Sequence, residues 1–134
     1  MSASERRSAT MWFFAATGLM EAGAGLALLV MPALVIELLL ASPASHTDIA
    51  LARWAGAALL SLGAACWWAR GDGASTASRA IVVGMSVYNA AVIALVLAGS
   101  FGSPGRPILL VVAAAHGAMT AWCVALLRRR VSSS

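Results

Sequence analysis

The sequence contains no lysine and few charged side chains of any kind. Its nine arginines and five acidic residues are spread over 134 positions, so charge makes up 10% of the chain, against roughly 25% in soluble domains. A water-soluble protein of this size exposes much of its surface, which so few charges cannot cover. Disorder is excluded as well, because disordered chains are polar and charge-rich. Two cysteines are too few for a disulfide scaffold. The composition therefore predicts a membrane protein, whose apolar surface faces lipid.

Four apolar stretches are each long enough to cross a membrane as a helix, which takes roughly 20 residues. Formal charge enters them only at Glu21 and Arg53. Short segments rich in Gly, Ser and Pro separate them, so successive helices should be antiparallel neighbours. The sequence predicts an all-α integral membrane four-helix bundle that forms one domain over 1–134. The predicted spans are 11–31, 49–69, 80–98 and 108–127.

The segment that follows the first span needs a separate explanation. A straight helix over 11–41 would be about 46 Å long, well beyond a hydrocarbon core of about 30 Å. Pro32 lacks an amide hydrogen and clashes with the preceding turn. We therefore expect a kink there and a short interfacial helix over 32–41, in which Glu37 faces headgroups or water. The alternative is that 32–41 continues the first helix.

The arginines predict the orientation, because short cytoplasmic loops retain basic residues. A cytoplasmic N-terminus places seven arginines inside and two, Arg53 and Arg106, outside. Both termini are then cytoplasmic, and the protein lies in the inner membrane with the lipid bilayer as its partner. Nucleic acid is not an expected partner, since the basic residues form no continuous stripe. The seven are Arg6, Arg7, Arg70, Arg79, Arg128, Arg129 and Arg130.

Three of the four spans place polar residues near the membrane midplane. At about 1.5 Å per residue, their depth from the cytoplasmic side is about 12 to 16 Å. Polar groups are costly there, so they should face the bundle interior. Glu21 shares a helix face with Thr17, Gly18 and Gly25. Small residues mark where membrane helices approach closely, which supports that orientation. The residues of this layer are Glu21, Tyr88, Asn89 and His116.

Each of these residues has a structural and a functional interpretation. Tyr88 and Asn89 could simply hold helices together, as polar groups in membrane bundles commonly do. A midplane carboxyl group is more costly, so Glu21 should be protonated, paired with His116 or exposed to a watery cavity. Arg53 either extends to the headgroups or forms an outer gate or anion contact. The predicted binding residues are therefore Glu21, His116, Asn89, Tyr88 and Arg53.

Enzyme and cofactor signatures are missing from the sequence. One intramembrane histidine, one midplane acid and two shallow thiols do not form a four-ligand zinc set. A phosphate-binding glycine loop and a nucleophile elbow are also absent. We therefore expect no catalytic residue, no metal and no cofactor, and an enzyme is the less favoured class.

In outline the chain is similar to the small multidrug transporters, which are short four-helix chains with one essential glutamate in the first helix. The similarity is one of organisation and rests on Glu21 and the four spans. The leading interpretation is a carrier that binds a small molecule or a proton in a polar midplane cavity. A homodimer would supply a pathway that one narrow bundle lacks. The alternatives are an accessory subunit of a larger membrane complex and a membrane enzyme that uses Glu21 and His116 as acid and base.

Overall fold

In the residues that the computed structural model describes, the regular secondary structure consists of α-helices joined by short turns. The described residues are 3–72, 75–99 and 106–131, without the side chains at 3, 6 and 129–131. Five helices form within these ranges, and four of them are long and apolar enough to cross a membrane. The candidate spans are Arg7–Val30, His46–Ala69, Thr76–Leu97 and Pro107–Arg128. The prediction of four helices long and apolar enough to cross a membrane is thereby confirmed, and these helices lie within a few residues of the predicted spans.

The chain divides into two compact units, Met1–Gly71 and Asp72–Ser134. The first contains α1 (Ala3–Val30), α2 (Pro32–Leu40) and α3 (His46–Ala69), and the second contains α4 (Thr76–Leu97) and α5 (Pro107–Val131). A single four-helix bundle over 1–134, with both termini on one side, stays a prediction. The connection predicted between the last two spans includes 100–105, and the orientation used the side chains of Arg6, Arg129 and Arg130. These positions lie outside the described residues.

A break at Met31 separates α1 from α2. Met31 has φ −130° and ψ 52°, outside the helical region, and Pro32 is the first residue of α2. The cause is local, because the proline ring disfavours helical backbone in the residue before it. The predicted short helix after the first span is therefore present, and Glu37 on it is exposed. Its location in the membrane interface stays a prediction.

Glycines bring the backbones of α1 and α3 close together. A Cβ atom added at Gly25 would lie 2.6 Å from the Gly56 carbonyl oxygen, and one at Gly63 would lie 2.8 Å from the Gly18 carbonyl oxygen. Gly25 therefore faces Gly56 while Gly18 faces Gly63, so the two helices run antiparallel. Small residues permit this approach in membrane helices, where van der Waals packing drives association.

The second unit has a different core. The glycines described in α4 and α5, Gly84 and Gly117, have open space where a Cβ would lie. Buried side chains are instead large or polar, and Met85 and Asn89 on α4 are each 1% exposed. Ser75 caps the N-terminal end of α4, where its hydroxyl accepts a hydrogen bond from the Ser78 amide. The other buried apolar side chains of this unit are Val82, Val96, Leu109, Met119, Cys123 and Leu126.

Candidate functional site

Glu21 is a buried carboxyl group within a candidate membrane span. Its residue is 7% exposed. It lies about 21 Å along the helix from Arg7 and about 14 Å from Val30, the two ends of that span. Burying an ionised carboxylate is costly unless a partner, a proton or water compensates its charge. A group at this depth can therefore couple a change of protonation to a change in its surroundings.

Glu21 belongs to a buried polar face of α1. Thr10, Thr17 and Glu21 recur at spacings of seven and four residues, which places them on one side of the helix. Thr10 is 3% exposed and Thr17 is 1% exposed. Phe13 and Phe14, both fully buried, contact each other edge to face with ring centroids 5.4 Å apart. Of the polar residues on this face, the sequence had identified Thr17 and Glu21 but not Thr10.

Thr17 differs from the other buried polar side chains. Its Oγ1 atom has no hydrogen-bond partner among the residues that the structure describes. Leaving a buried hydroxyl unpaired costs about 1–3 kcal/mol. Three other hydroxyls inside the spans donate to the carbonyl oxygen four residues earlier: Ser61 to Ala57, Ser86 to Val82, and Thr120 to His116, each at 2.8 Å. Thr17 makes no such hydrogen bond to its own helix.

Tyr88 and His116 lie together in the second unit. Their ring centroids are 5.8 Å apart, with an angle of 60° between the ring planes. The His116 Nδ1 atom lies 2.8 Å from the Val112 carbonyl oxygen. Because a carbonyl oxygen only accepts, Nδ1 carries the hydrogen of this bond, and Nε2 of the neutral ring then presents a lone pair. His116 can therefore accept a proton or a hydrogen bond at Nε2.

Asn89 is buried on the same helix as Tyr88. Its Nδ2 atom donates to the Met85 carbonyl oxygen at 2.6 Å. This bond uses one of the two hydrogens on Nδ2. The side chain is thus oriented by its own helix.

The structure brings together some of the predicted binding residues. Tyr88 and His116 are in contact. Glu21 belongs to the first unit, whereas Tyr88, Asn89 and His116 belong to the second, so the predicted contact between Glu21 and these residues stays a prediction. Arg53 is exposed on α3.

A shallow pocket at the C-terminal end of α3 was not expected from the sequence. It encloses about 350 Å³ and is lined by Trp67, Trp68, Arg70 and Gly71. The Arg70 guanidinium lies 4.0 Å from the centre of the Trp67 ring and donates to the Trp67 carbonyl oxygen. The sequence signal that could have predicted this stacking is the spacing of Trp67 three residues before Arg70 at a helix end.

Metal ligands do not converge among residues 3–72, 75–99 and 106–131, where no three His, Cys, Asp or Glu side chains form a group. Comparison of the chain with protein-family models, with curated proteins and with solved structures finds no significant match.

Proposed function

We propose that this chain is a small membrane carrier in which Glu21 exchanges a proton for a small cationic solute. The observation that supports the proposal is the burial of Glu21, a residue 7% exposed, within a candidate span. Releasing the proton leaves a negative charge in a medium where charge is costly. A cation that enters as the proton leaves keeps the site neutral, which favours a positively charged solute.

In this proposal the second unit contributes polar and aromatic groups of its own that can bind a solute. The Nε2 atom of His116 offers a lone pair, since Nδ1 is bonded to its own helix. Asn89 retains one amide hydrogen and its carbonyl oxygen for a ligand. The aromatic ring of Tyr88, in contact with His116, can attract a cation through its face.

Glu21→Gln tests the proposal because it preserves volume but cannot exchange a proton. Proteoliposomes with an imposed pH gradient are assayed for uptake of tetraphenylphosphonium, a lipophilic cation. We expect the wild-type protein to accumulate it, and the folded Glu21→Gln variant to lose at least about 90% of that uptake, as removal of an essential charge requires.

Glu37→Gln is the matched control, since Glu37 is exposed on the short helix α2. This variant should transport like the wild type. Equal uptake by wild type and Glu21→Gln, or uptake by wild type no faster than by empty liposomes, contradicts a cation carrier that depends on Glu21.

We also propose that both termini lie in the cytoplasm of an inner-membrane protein. The support is the distribution of arginines, seven against two, under the positive-inside rule. A reporter that is active only outside the cytoplasm, fused after Ser134, should be silent, whereas a reporter active in the cytoplasm should give full signal. The reverse pair of signals contradicts this orientation.

An accessory subunit is the second candidate function. Only 17–33% of each span is buried within the chain, so most of the apolar helix surface faces outward. Trp54 and Trp68 are 77% and 82% exposed. Such surface suits lipid and also a protein partner. One stoichiometric partner after mild solubilisation at native expression favours the subunit, whereas a homodimer favours the carrier.

A further inference from the structure

Thr17 points to a water site beside Glu21. The Thr17 hydroxyl is buried, 1% exposed, and is without a hydrogen-bond partner in the described part of the chain. Threonine in a helix can place its hydroxyl against the carbonyl oxygen of the preceding turn. Thr120 does so in this protein, at 2.8 Å from the His116 carbonyl oxygen. The Thr17 hydroxyl makes no such bond to its own helix.

Glu21 lies about one helical turn after Thr17, on the same face of α1. Residues four apart on a helix have Cβ atoms about 5–6 Å apart, and Thr17 and Glu21 have this spacing. A single water that bonds to both side chains spans a gap of this size, with two hydrogen bonds of ordinary length. A polar, buried position with two or more partners is also where internal water is retained.

We propose that the Thr17 hydroxyl holds a water molecule that bridges to the Glu21 carboxyl group and delivers the proton to it. The bridging water accepts a proton from a hydronium ion of the aqueous phase and passes one to the carboxylate. One O–H bond forms on Glu21, and the hydronium ion becomes water. This inference deepens the proposed carrier function and rests on Glu21 being its proton site.

The ionisable groups around Glu21 in the first unit are few. The α3 segment between Gly56 and Gly63, which faces α1, contains only Ala, Leu and Ser. The charged or titratable residues on the helices packed against α1 are Glu37 on α2, and His46, Asp48, Arg53 and Cys66 on α3. Glu37, His46 and Arg53 are exposed. The Thr17 hydroxyl, about one helical turn before Glu21, is placed to influence the titration of Glu21.

Infrared difference spectroscopy of the full-length protein in lipid tests the proposal without any transported solute. The carbonyl stretch of protonated Glu21 is assigned as the band lost in Glu21→Gln, and its pH midpoint is then measured. Thr17→Val keeps the side-chain shape but removes the hydroxyl. It should raise the midpoint by about one pH unit, because the carboxylate loses a hydrogen-bonded water that favours its charged form. Thr17→Ser keeps the hydroxyl and should retain the wild-type midpoint.

Ser61→Ala is the control for removing a hydroxyl elsewhere, since Ser61 is exposed and bonded to the Ala57 carbonyl oxygen. It should leave the midpoint unchanged. An unchanged midpoint in Thr17→Val overturns the proposal, and so does an equal shift in Thr17→Ser, which would indicate a packing effect. Loss of transport in Glu21→Gln tests the carrier separately, so the two can fail independently.

If Thr17→Val does not fold, the wild-type protein still tests the proposal. The measurement is then the exchange of the Glu21 carboxyl hydrogen for deuterium. In the wild-type protein, a bridging water should give exchange that is complete soon after transfer to deuterated buffer. A Glu21 band that neither titrates nor exchanges in the folded wild-type protein overturns the proposal.

Discussion

The two units pack their long helices in opposite ways. In the first, Gly18 and Gly25 on α1 meet Gly63 and Gly56 on α3, so backbone approaches backbone. In the second, the described glycines of α4 and α5 face open space, and side chains such as Met85 are buried instead. Lipid tails are as apolar as leucine, so hydrophobicity does not drive these helices together. Each unit therefore gains its van der Waals contact by a different route, close approach or interlocking side chains.

The polar side chains differ between the units as well. Asn89 and His116 in the second unit bond to carbonyl oxygens of their own helices. They are satisfied locally, and their remaining donors and acceptors can serve a ligand. Thr17 in the first unit has no such bond within the described residues. Among the described residues, the glycine-packed unit thus contains the buried hydroxyl that has no partner, which is why a water site is inferred there.

Gly25→Ala should disrupt the glycine packing of α1 against α3 and have the largest effect on stability. The added Cβ would lie 2.6 Å from both the Gly56 carbonyl oxygen and the Leu60 amide nitrogen, and backbone atoms cannot move aside as a side chain can. The helices must separate, at a cost of about 3 kcal/mol, the upper end of the usual range for overpacking. Reversible unfolding in mixed micelles, followed by circular dichroism, measures the free energy of unfolding.

Two other glycines of α1 provide graded controls for Gly25→Ala. Gly18→Ala should cost less, since its Cβ would lie 3.1 Å from the nearest backbone atom. Gly23→Ala should be neutral or stabilise the protein by up to about 1 kcal/mol, because its Cβ meets open space and alanine is the better helix former. Equal effects at Gly25 and Gly23 would show that close backbone packing does not hold α1 against α3.

The sequence predicted the helices well because their signal is local. Long apolar runs indicated the four spans, and Pro32 indicated the end of α1. The close approach of α1 was also foreseen from Gly18 and Gly25. Their partners Gly56 and Gly63 were not identified, because the antiparallel register depends on how two distant segments pair. The same spacing of seven residues in both helices was the available signal.

The candidate site was less predictable than the helices. Depth along each helix can be counted, so the burial of Glu21 and Asn89 followed from the sequence. Side-chain hydrogen bonds cannot be counted in this way. Whether Thr17 bonds to its own helix depends on its rotamer, and the stacking of Arg70 on Trp67 depends on the geometry of a helix end. The meeting of Glu21 with His116 requires the arrangement of the two units and stays a prediction.

Met85→Ala should disrupt the side-chain packing of the second unit, and it should lower the free energy of unfolding by less than Gly25→Ala does. Met85 is 1% exposed, so the substitution leaves a cavity on α4. Only the packing part of the usual cost applies in lipid, about 2 kcal/mol. The Asn89 hydrogen bond should survive, because its acceptor is the backbone carbonyl of residue 85.

Val87→Ala on the same helix is the control, since Val87 is 66% exposed and its truncation should change the free energy of unfolding by less than about 0.5 kcal/mol. If both variants unfold like the wild type, interlocking side chains do not stabilise the second unit, and the contrast with the glycine-packed unit fails.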